Sequence, residues 1–101
     1  MNVVLPQLKM NTADTWNVYI IRCSDNSLYT GITNDMAKRY QQHANQRGAK
    51  YFRGRQPMAL VYLEYGHTRQ TASQREAAIK KLSRSDKLVL IASAMKMTDA
   101  F

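Results

Sequence analysis

Four side chains of reactive type are spaced along this sequence in a pattern that could serve the hydrolysis of a phosphodiester. They are Tyr19, Tyr29, Arg39 and Glu76. A phenol near a cation can take a proton from water, a guanidinium can hold a pentacovalent phosphate, and a carboxylate can anchor a divalent cation. The alternative is that both tyrosines are ordinary core residues of a β-hairpin.

The composition predicts a single small domain that is attracted to polyanions. The chain has 101 residues, which is enough for one sheet-and-helix core and too few for two. Its 15 Lys and Arg residues outnumber its 7 Asp and Glu residues, so the formal net charge is +8. This excess favours nucleic acid as the partner, although acidic proteins and simple solubility remain alternatives.

Cysteine usage and hydropathy exclude several other classes of protein. The single cysteine, Cys23, rules out an intramolecular disulfide framework and a zinc cluster of several thiolates, and it is typical of a reducing compartment. No segment approaches the roughly 18 consecutive apolar residues of a membrane span. We therefore predict a soluble, cytoplasmic protein with no membrane partner; whether it has a protein partner is left open.

Periodicity and turn signals predict a small α/β domain over residues 15–94, between a loosely packed leader, 1–14, and a tail, 95–101. The predicted element order is β-β-α-β-α-α, with a three-stranded mixed or antiparallel sheet flanked by helices. The predicted strands are 16–23, 28–33 and 58–65. The predicted helices are 35–47, capped by Thr33 or Asn34 and stopped by Gly48, then 69–82 and 87–94.

The register of the first hairpin decides whether its two tyrosines share a face, because side chains alternate faces with a period of two. A two-residue turn at Asp25-Asn26 would place Tyr19 and Tyr29 on opposite faces. A three-residue or bulged loop centred on Asn26, which tolerates the left-handed conformation, would place both phenols on one face. A shared site therefore requires the odd loop.

Two helical positions support the hypothesis of a site, and each has an ordinary structural alternative. His43 lies four residues after Arg39, on the same helix edge, and could hydrogen-bond a phosphate or assist proton transfer; it could equally be a surface histidine. Glu76 lies four residues before Lys80, and this spacing also forms ordinary surface ion pairs worth only about 0.3–0.5 kcal/mol.

Residues 48–57 form a basic, glycine-punctuated loop that is the best candidate for nucleic-acid contact. Its cations Lys50, Arg53 and Arg55 could bind phosphates, while its aromatic residues could stack on bases or pack into the core. In the second predicted strand, Gly31 has no Cβ, so a phosphate backbone or another strand could approach it closely; a β-bulge is the alternative.

These segments together resemble the GIY-YIG nuclease superfamily. The resemblance rests on Asn17-Val18-Tyr19 paired with Tyr29-Thr30-Gly31, followed by Arg39 and Glu76, and it covers residues 16–92. The run 28–33, the segment 39–43 and the loop from Gly48 are most similar to the short stand-alone bacterial branch.

The resemblance implies a metal-dependent hydrolase that cuts one strand of DNA. Our leading hypothesis is a DNA endonuclease of repair or processing that prefers branched, nicked or single-stranded structures. It implies that Glu76 binds one Mg²⁺ or Mn²⁺ and that Arg39 stabilises the transition state. We assign Tyr19 as the base that deprotonates water and Tyr29 as the residue that orients it. The alternatives are a binding module that lacks catalysis and a nuclease that acts on RNA.

Overall fold

Three strands form one antiparallel sheet in the computed structural model, which describes residues 15–45 and 49–99. The strands are β1 (Trp16–Cys23), β2 (Leu28–Thr33) and β3 (Pro57–His67). β1 is central, and both neighbours pair with it in antiparallel fashion. The predicted α/β architecture and the predicted element order are confirmed, although β3 is longer at both ends than the 58–65 predicted.

Within the described residues, three helices and one 3-10 turn flank the sheet. They are α1 (Met36–Ala44), the turn Lys50–Phe52, α2 (Arg69–Lys80) and α3 (Arg84–Asp99). The predicted cap of α1 was wrong: Asp35 caps it, because its carboxylate accepts the Lys38 amide at 3.1 Å. α3 begins three residues before the predicted start because the Ser83 hydroxyl accepts the Asp86 amide, and its backbone continues past the predicted end at 94.

The first hairpin has the odd loop that a shared tyrosine site requires. Tyr19 pairs with Gly31, and Ile21 pairs with Tyr29, so both phenols lie on one face. The loop is centred on Asp25, one residue earlier than predicted, and Asn26 adopts the left-handed conformation with φ of 67°. Asn26, the third residue of the loop, thus supplies the left-handed conformation that sets the register of the hairpin.

The sheet separates two clusters of buried side chains. On one face, Val18 and Ile20 of β1 pack against Ala72 and Ile79 of α2 and against α3. On the other face, the odd-numbered residues of β1 pack against α1 and the 3-10 turn, in a cluster of Tyr19, Ile21, Cys23 and Phe52. The central strand is therefore covered on both sides, and it holds the first tyrosine in a rigid setting.

Several predictions fall on residues that the structure does not describe. The leader, residues 1–14, is one of them, and Gly48, the predicted stop of α1, is another. Within residues 15–45 and 49–99, none of the helices is both long and apolar enough to cross a membrane.

Candidate active site

Tyr19 is fully buried, and its phenol lies directly over Gly31. The side chain has 0% exposure. A Cβ built on Gly31 would come within 2.5 Å of Tyr19 Oη and 2.6 Å of its Cζ, and within 3.0 Å of the Tyr29 ring. Because Gly31 has no Cβ, the phenol of Tyr19, its paired residue, fits over it. The nucleic-acid contact predicted for Gly31 stays a prediction, and the structure supplies a separate reason for the glycine.

A hydrogen bond joins the Tyr19 phenol to His43, which α1 projects onto the sheet. The distance from Tyr19 Oη to His43 Nε2 is 2.8 Å. His43 is 0% exposed and stacks on Phe52 with 4.1 Å between ring centroids, so it is not the surface histidine that was one alternative. Burial, together with the charge of Arg39, lowers the pKa of His43 to about 4, so the imidazole is neutral at pH 7.

The electrostatics of the Tyr19 phenol show that four elements meet around it. Burial raises the pKa of Tyr19 to about 12. The neighbouring Arg39 guanidinium opposes this rise, whereas the charges of Tyr29 and Glu76 add to it. Groups from β2, α1 and α2 therefore act on the phenol of one β1 residue. The same burial makes Tyr19 a poor base, since its hydroxyl neither faces solvent nor ionises near neutral pH.

Tyr29 is the more accessible phenol of the pair. It is partly exposed on β2, with its ring 6.2 Å from that of Tyr19 and 5.3 Å from that of His43. The rings of Tyr51 and Phe52, from the 3-10 turn, lie 5.1 Å and 4.9 Å from it on another side. Aromatic packing therefore fixes the ring, while the side chain stays partly exposed.

Arg39 has a partner that the sequence reasoning gave no role. Its Nη1 donates to Gln42 Oε1 at 3.0 Å, one turn along α1. The i, i+3 spacing on the helix is the signal that could have revealed this contact. The hydrogen bond restrains the guanidinium in the region between α1 and the sheet.

Glu76 is engaged in the ion pair that was the alternative to metal binding. Lys80 Nζ lies 3.2 Å from Glu76 Oε2, and the carboxylate side chain is 23% exposed. The ion pair with Lys80 and a metal-binding role are both compatible with this position, because the Glu76 carboxylate also acts electrostatically on Tyr19. A divalent cation on the other carboxylate oxygen would compete electrostatically with the ammonium group of Lys80.

The donor set around the site fits a weakly held hard cation. Among residues 15–45 and 49–99, no three His, Cys, Asp or Glu side chains are grouped to hold a metal ion. The carboxylate of Glu64, on β3, already accepts hydrogen bonds from Tyr62 and from Arg75 of α2. Mg²⁺ is commonly held by one or two carboxylates with waters and substrate phosphates, which one free carboxylate oxygen of Glu76 allows.

The cations of the basic loop differ in how much freedom they have. Lys50 and Arg53 are exposed. Arg55 instead pairs with Asp25 of the hairpin loop, with Nε 2.6 Å from Oδ2, and its guanidinium lies 4.2 Å from the centroid of the Tyr51 ring. This contact joins the loop to the hairpin, and it leaves Lys50 and Arg53 as the freer candidates for phosphate contact.

The fold is that of the GIY-YIG family. The model of the GIY-YIG catalytic domain matches residues 15–88, which include all four of the side chains first singled out. The chain belongs to this family. A nuclease-type fold and an association with nucleic acid follow from that membership.

The chain is most readily compared with short bacterial proteins of the UPF0213 group. It is 54% identical to UPF0213 protein CPE1444 of Clostridium perfringens over 75% of this chain and 82% of that protein. It is 46% identical to UPF0213 protein DP2720 of Desulfotalea psychrophila over 80% and 74% of the two chains. The solution NMR structure of UPF0213 protein BH0048 from Bacillus halodurans is similar, with a TM-score of 0.50 at 42% identity, covering 76% of this chain and 82% of that one.

Proposed function

We propose that this protein is a metal-dependent DNA endonuclease that selects its substrate by structure and acts in DNA repair or processing in the cytoplasm. One observation carries the proposal: the phenol of Tyr19 is influenced at once by Tyr29, Arg39, His43 and Glu76, which come from three other elements of the fold. It supports a site in which a proton acceptor, a cation and a carboxylate that could hold a metal ion act together.

The exposure of the two phenols reverses the roles that the sequence suggested for them. We assign Tyr29 as the general base, because it is the phenol that a substrate water can reach. Tyr19 becomes a positioning residue, held by His43 on one side and packed over Gly31 on another. Arg39 stabilises the charge that develops on the phosphate.

Glu76 is the residue that would hold the divalent cation, either Mg²⁺ or Mn²⁺. When bound there, such an ion would polarise the phosphate and stabilise the leaving oxygen. The chain would present one carboxylate oxygen of Glu76 to the ion. In the absence of substrate, the nearby ammonium group of Lys80 balances the negative charge of this carboxylate.

The proposal is tested by incubating the purified protein with labelled single-stranded, duplex, flap and four-way DNAs. Each is tried with Mg²⁺, with Mn²⁺ and with EDTA, and RNA versions of the same substrates form a parallel set. We expect cleavage that requires metal and is faster on the branched or single-stranded DNAs. The absence of product on every substrate with either metal would refute the proposal.

Glu76 and Lys80 provide a pair of variants that separates metal binding from a surface ion pair. Glu76→Gln should abolish cleavage, because the remaining amide oxygen is a weak ligand for a hard cation. Lys80→Ala should retain cleavage and lower the Mg²⁺ concentration that gives half of the maximal rate, because the competing ammonium group is gone. If neither variant changes the dependence on metal, Glu76 is only half of an ion pair.

Tyr29 and Tyr51 provide a matched test of the base. Tyr29→Phe should lower the cleavage rate by about 10²- to 10⁴-fold, the usual contribution of a general base. Tyr51→Phe, a change of the same size in the adjacent ring of the cluster, should leave the rate nearly unchanged. Equal effects of the two substitutions would contradict the assignment of Tyr29.

The ion pair at Glu76 also favours a second candidate function, a nucleic-acid-binding module without catalysis. In this case the protein would bind DNA or RNA with an affinity that falls as salt rises, and no metal would produce cleavage. The same panel of substrates decides between the two functions.

A further inference from the structure

A cavity of about 290 Å³ opens beside the candidate active site, between the start of β1, the end of β2 and α1. Pockets for small organic ligands begin at about 300 Å³, so this one has room for a single small unit and not for a duplex. None of the roles proposed above for Tyr19, Tyr29 or Glu76 uses it.

The lining of the cavity combines apolar walls with amide and charged groups. The apolar surface comes from Trp16 and Ile32, and the polar groups come from Asn34, Asp35, Arg39 and Gln42. A flat aromatic ring with hydrogen-bonding edges matches such a lining, because it can contact an indole through its face and amides through its edge.

The carboxylate of Asp35 argues against a free anion as the occupant. It lies in the cavity wall and accepts the amide of Lys38, so it stays there as the cap of α1. A phosphate in the cavity would be repelled by this charge, whereas the amino group of a base would not. The cations Lys38 and Arg39, on the α1 side, can hold the phosphate that is attached to such a base.

Two contacts hold the walls in place. The Arg69 guanidinium lies 5.3 Å from the centroid of the Trp16 ring, and Arg69 is not part of the lining, so it restrains the indole from outside the cavity. Gln42 accepts a hydrogen bond from Arg39, the residue that also acts on Tyr19. The Arg39 side chain therefore borders both the cavity and the tyrosine pair.

We propose that this cavity binds one unpaired nucleobase of the strand that is cut, next to the scissile phosphate. The proposal rests on the proposed function for the position of the phosphate, and it deepens that function by naming what the site selects. A base can enter the cavity only when it is not paired, so single-stranded, frayed and branched substrates are favoured over intact duplex.

The single tryptophan of the chain reports directly on the cavity. Binding is measured in EDTA, so that no cleavage is needed, by titrating the protein with a short single-stranded oligonucleotide. A matched oligonucleotide of the same length and charge carries abasic residues in place of all its nucleosides. We expect the first to quench Trp16 fluorescence and to bind at least about 5-fold more tightly than the second, since stacking of one base is worth about 5- to 150-fold. Equal binding and equal quenching by both would overturn the proposal.

Two asparagines at opposite ends of α1 provide variants that do not disturb the core. Both Asn34 and Asn45 are exposed, and only Asn34 lines the cavity. Asn34→Ala should weaken binding of the base-bearing oligonucleotide by about 2- to 12-fold, the worth of one hydrogen bond, and should leave the abasic one unaffected. Asn45→Ala should change neither. Identical behaviour of the two variants would refute the cavity as the binding site.

The outcome separates this inference from the proposed function. If base-dependent quenching is found but no DNA is cleaved with any metal, the cavity is a binding site and the endonuclease proposal fails. If DNA is cleaved but quenching does not depend on bases, the endonuclease proposal stands and the cavity has no such role.

Discussion

Lowering the pH from 7 to 4 should destabilise the fold specifically through His43. The imidazole is fully buried and its pKa is lowered from 6.5 to about 4 by burial and by the charge of Arg39. In the unfolded chain the group has its ordinary pKa. Between about pH 6.5 and pH 4 the unfolded state therefore binds more protons than the folded state, and the free energy of unfolding falls as the pH falls.

The size of the effect follows from the shift. A difference of one pKa unit is worth about 1.4 kcal/mol, so a change from 6.5 to about 4 corresponds to about 3 kcal/mol in total. The maximal slope is about 1.4 kcal/mol per pH unit. This is a large share of the 5–15 kcal/mol that is typical of small domains, so the effect should be easy to measure.

The assay is urea unfolding at a series of pH values, followed by tryptophan fluorescence. Carboxylates also titrate in this range, so the informative quantity is the difference between the wild type and His43→Gln. The glutamine does not ionise, and its amide can still reach the Tyr19 hydroxyl. We expect the variant to lose about 3 kcal/mol less than the wild type between pH 7 and pH 4. The control is Asn45→Ala, an exposed change at the end of the same helix that removes no ionisable group and should keep the wild-type loss.

Parallel pH profiles for the wild type and His43→Gln would refute the reasoning. In that case His43 either takes up its proton in the folded state near its ordinary pKa or is not buried against Tyr19 and Phe52 in solution.

Three further substitutions test the packing of the hairpin and the separate roles of two cations in the basic loop. Gly31→Ala should destabilise the protein by about 1–3 kcal/mol in urea unfolding, because the new Cβ would overlap the buried Tyr19 phenol; an unchanged stability would show that the phenol does not lie over this strand. Arg53→Ala should reduce the salt dependence of DNA binding by about one released ion. Arg55→Ala should reduce it less, because Asp25 already neutralises that guanidinium; equal reductions would show that both cations contact phosphate.

Much of the fold could be predicted because its determinants are local. The strand and helix order follows from periodicity and turn residues, and the shared face of the two phenols follows from a left-handed Asn26 in an odd loop. The errors lie at boundaries, where one polar side chain competes with another. Asp35, and not Thr33 or Asn34, caps α1. The hydrogen bond from the Asp86 amide to the Ser83 hydroxyl places the start of α3 earlier than predicted.

For the candidate site, the sequence indicated residues by their type, and only the structure supplied their environment. The sequence selected Tyr19, Tyr29, Arg39 and Glu76 by type and spacing, and they lie around a common phenol. Only the structure shows that Tyr19→Phe would disturb the packing of the site. Removing the hydroxyl would leave His43 buried with neither ring nitrogen paired, since Nδ1 already has no partner in the described part of the chain.

The sequence by itself determined the elements, the charge and the residues that could do chemistry, because each of these depends on near neighbours in the chain. Only the tertiary structure decided which tyrosine is buried, that His43 is neutral, and that Trp16 borders a cavity beside Arg39. The physical reason is that the burial and the pKa of a side chain depend on groups that are distant in the chain. Tyr19 and His43, for example, meet only when α1 packs on the sheet.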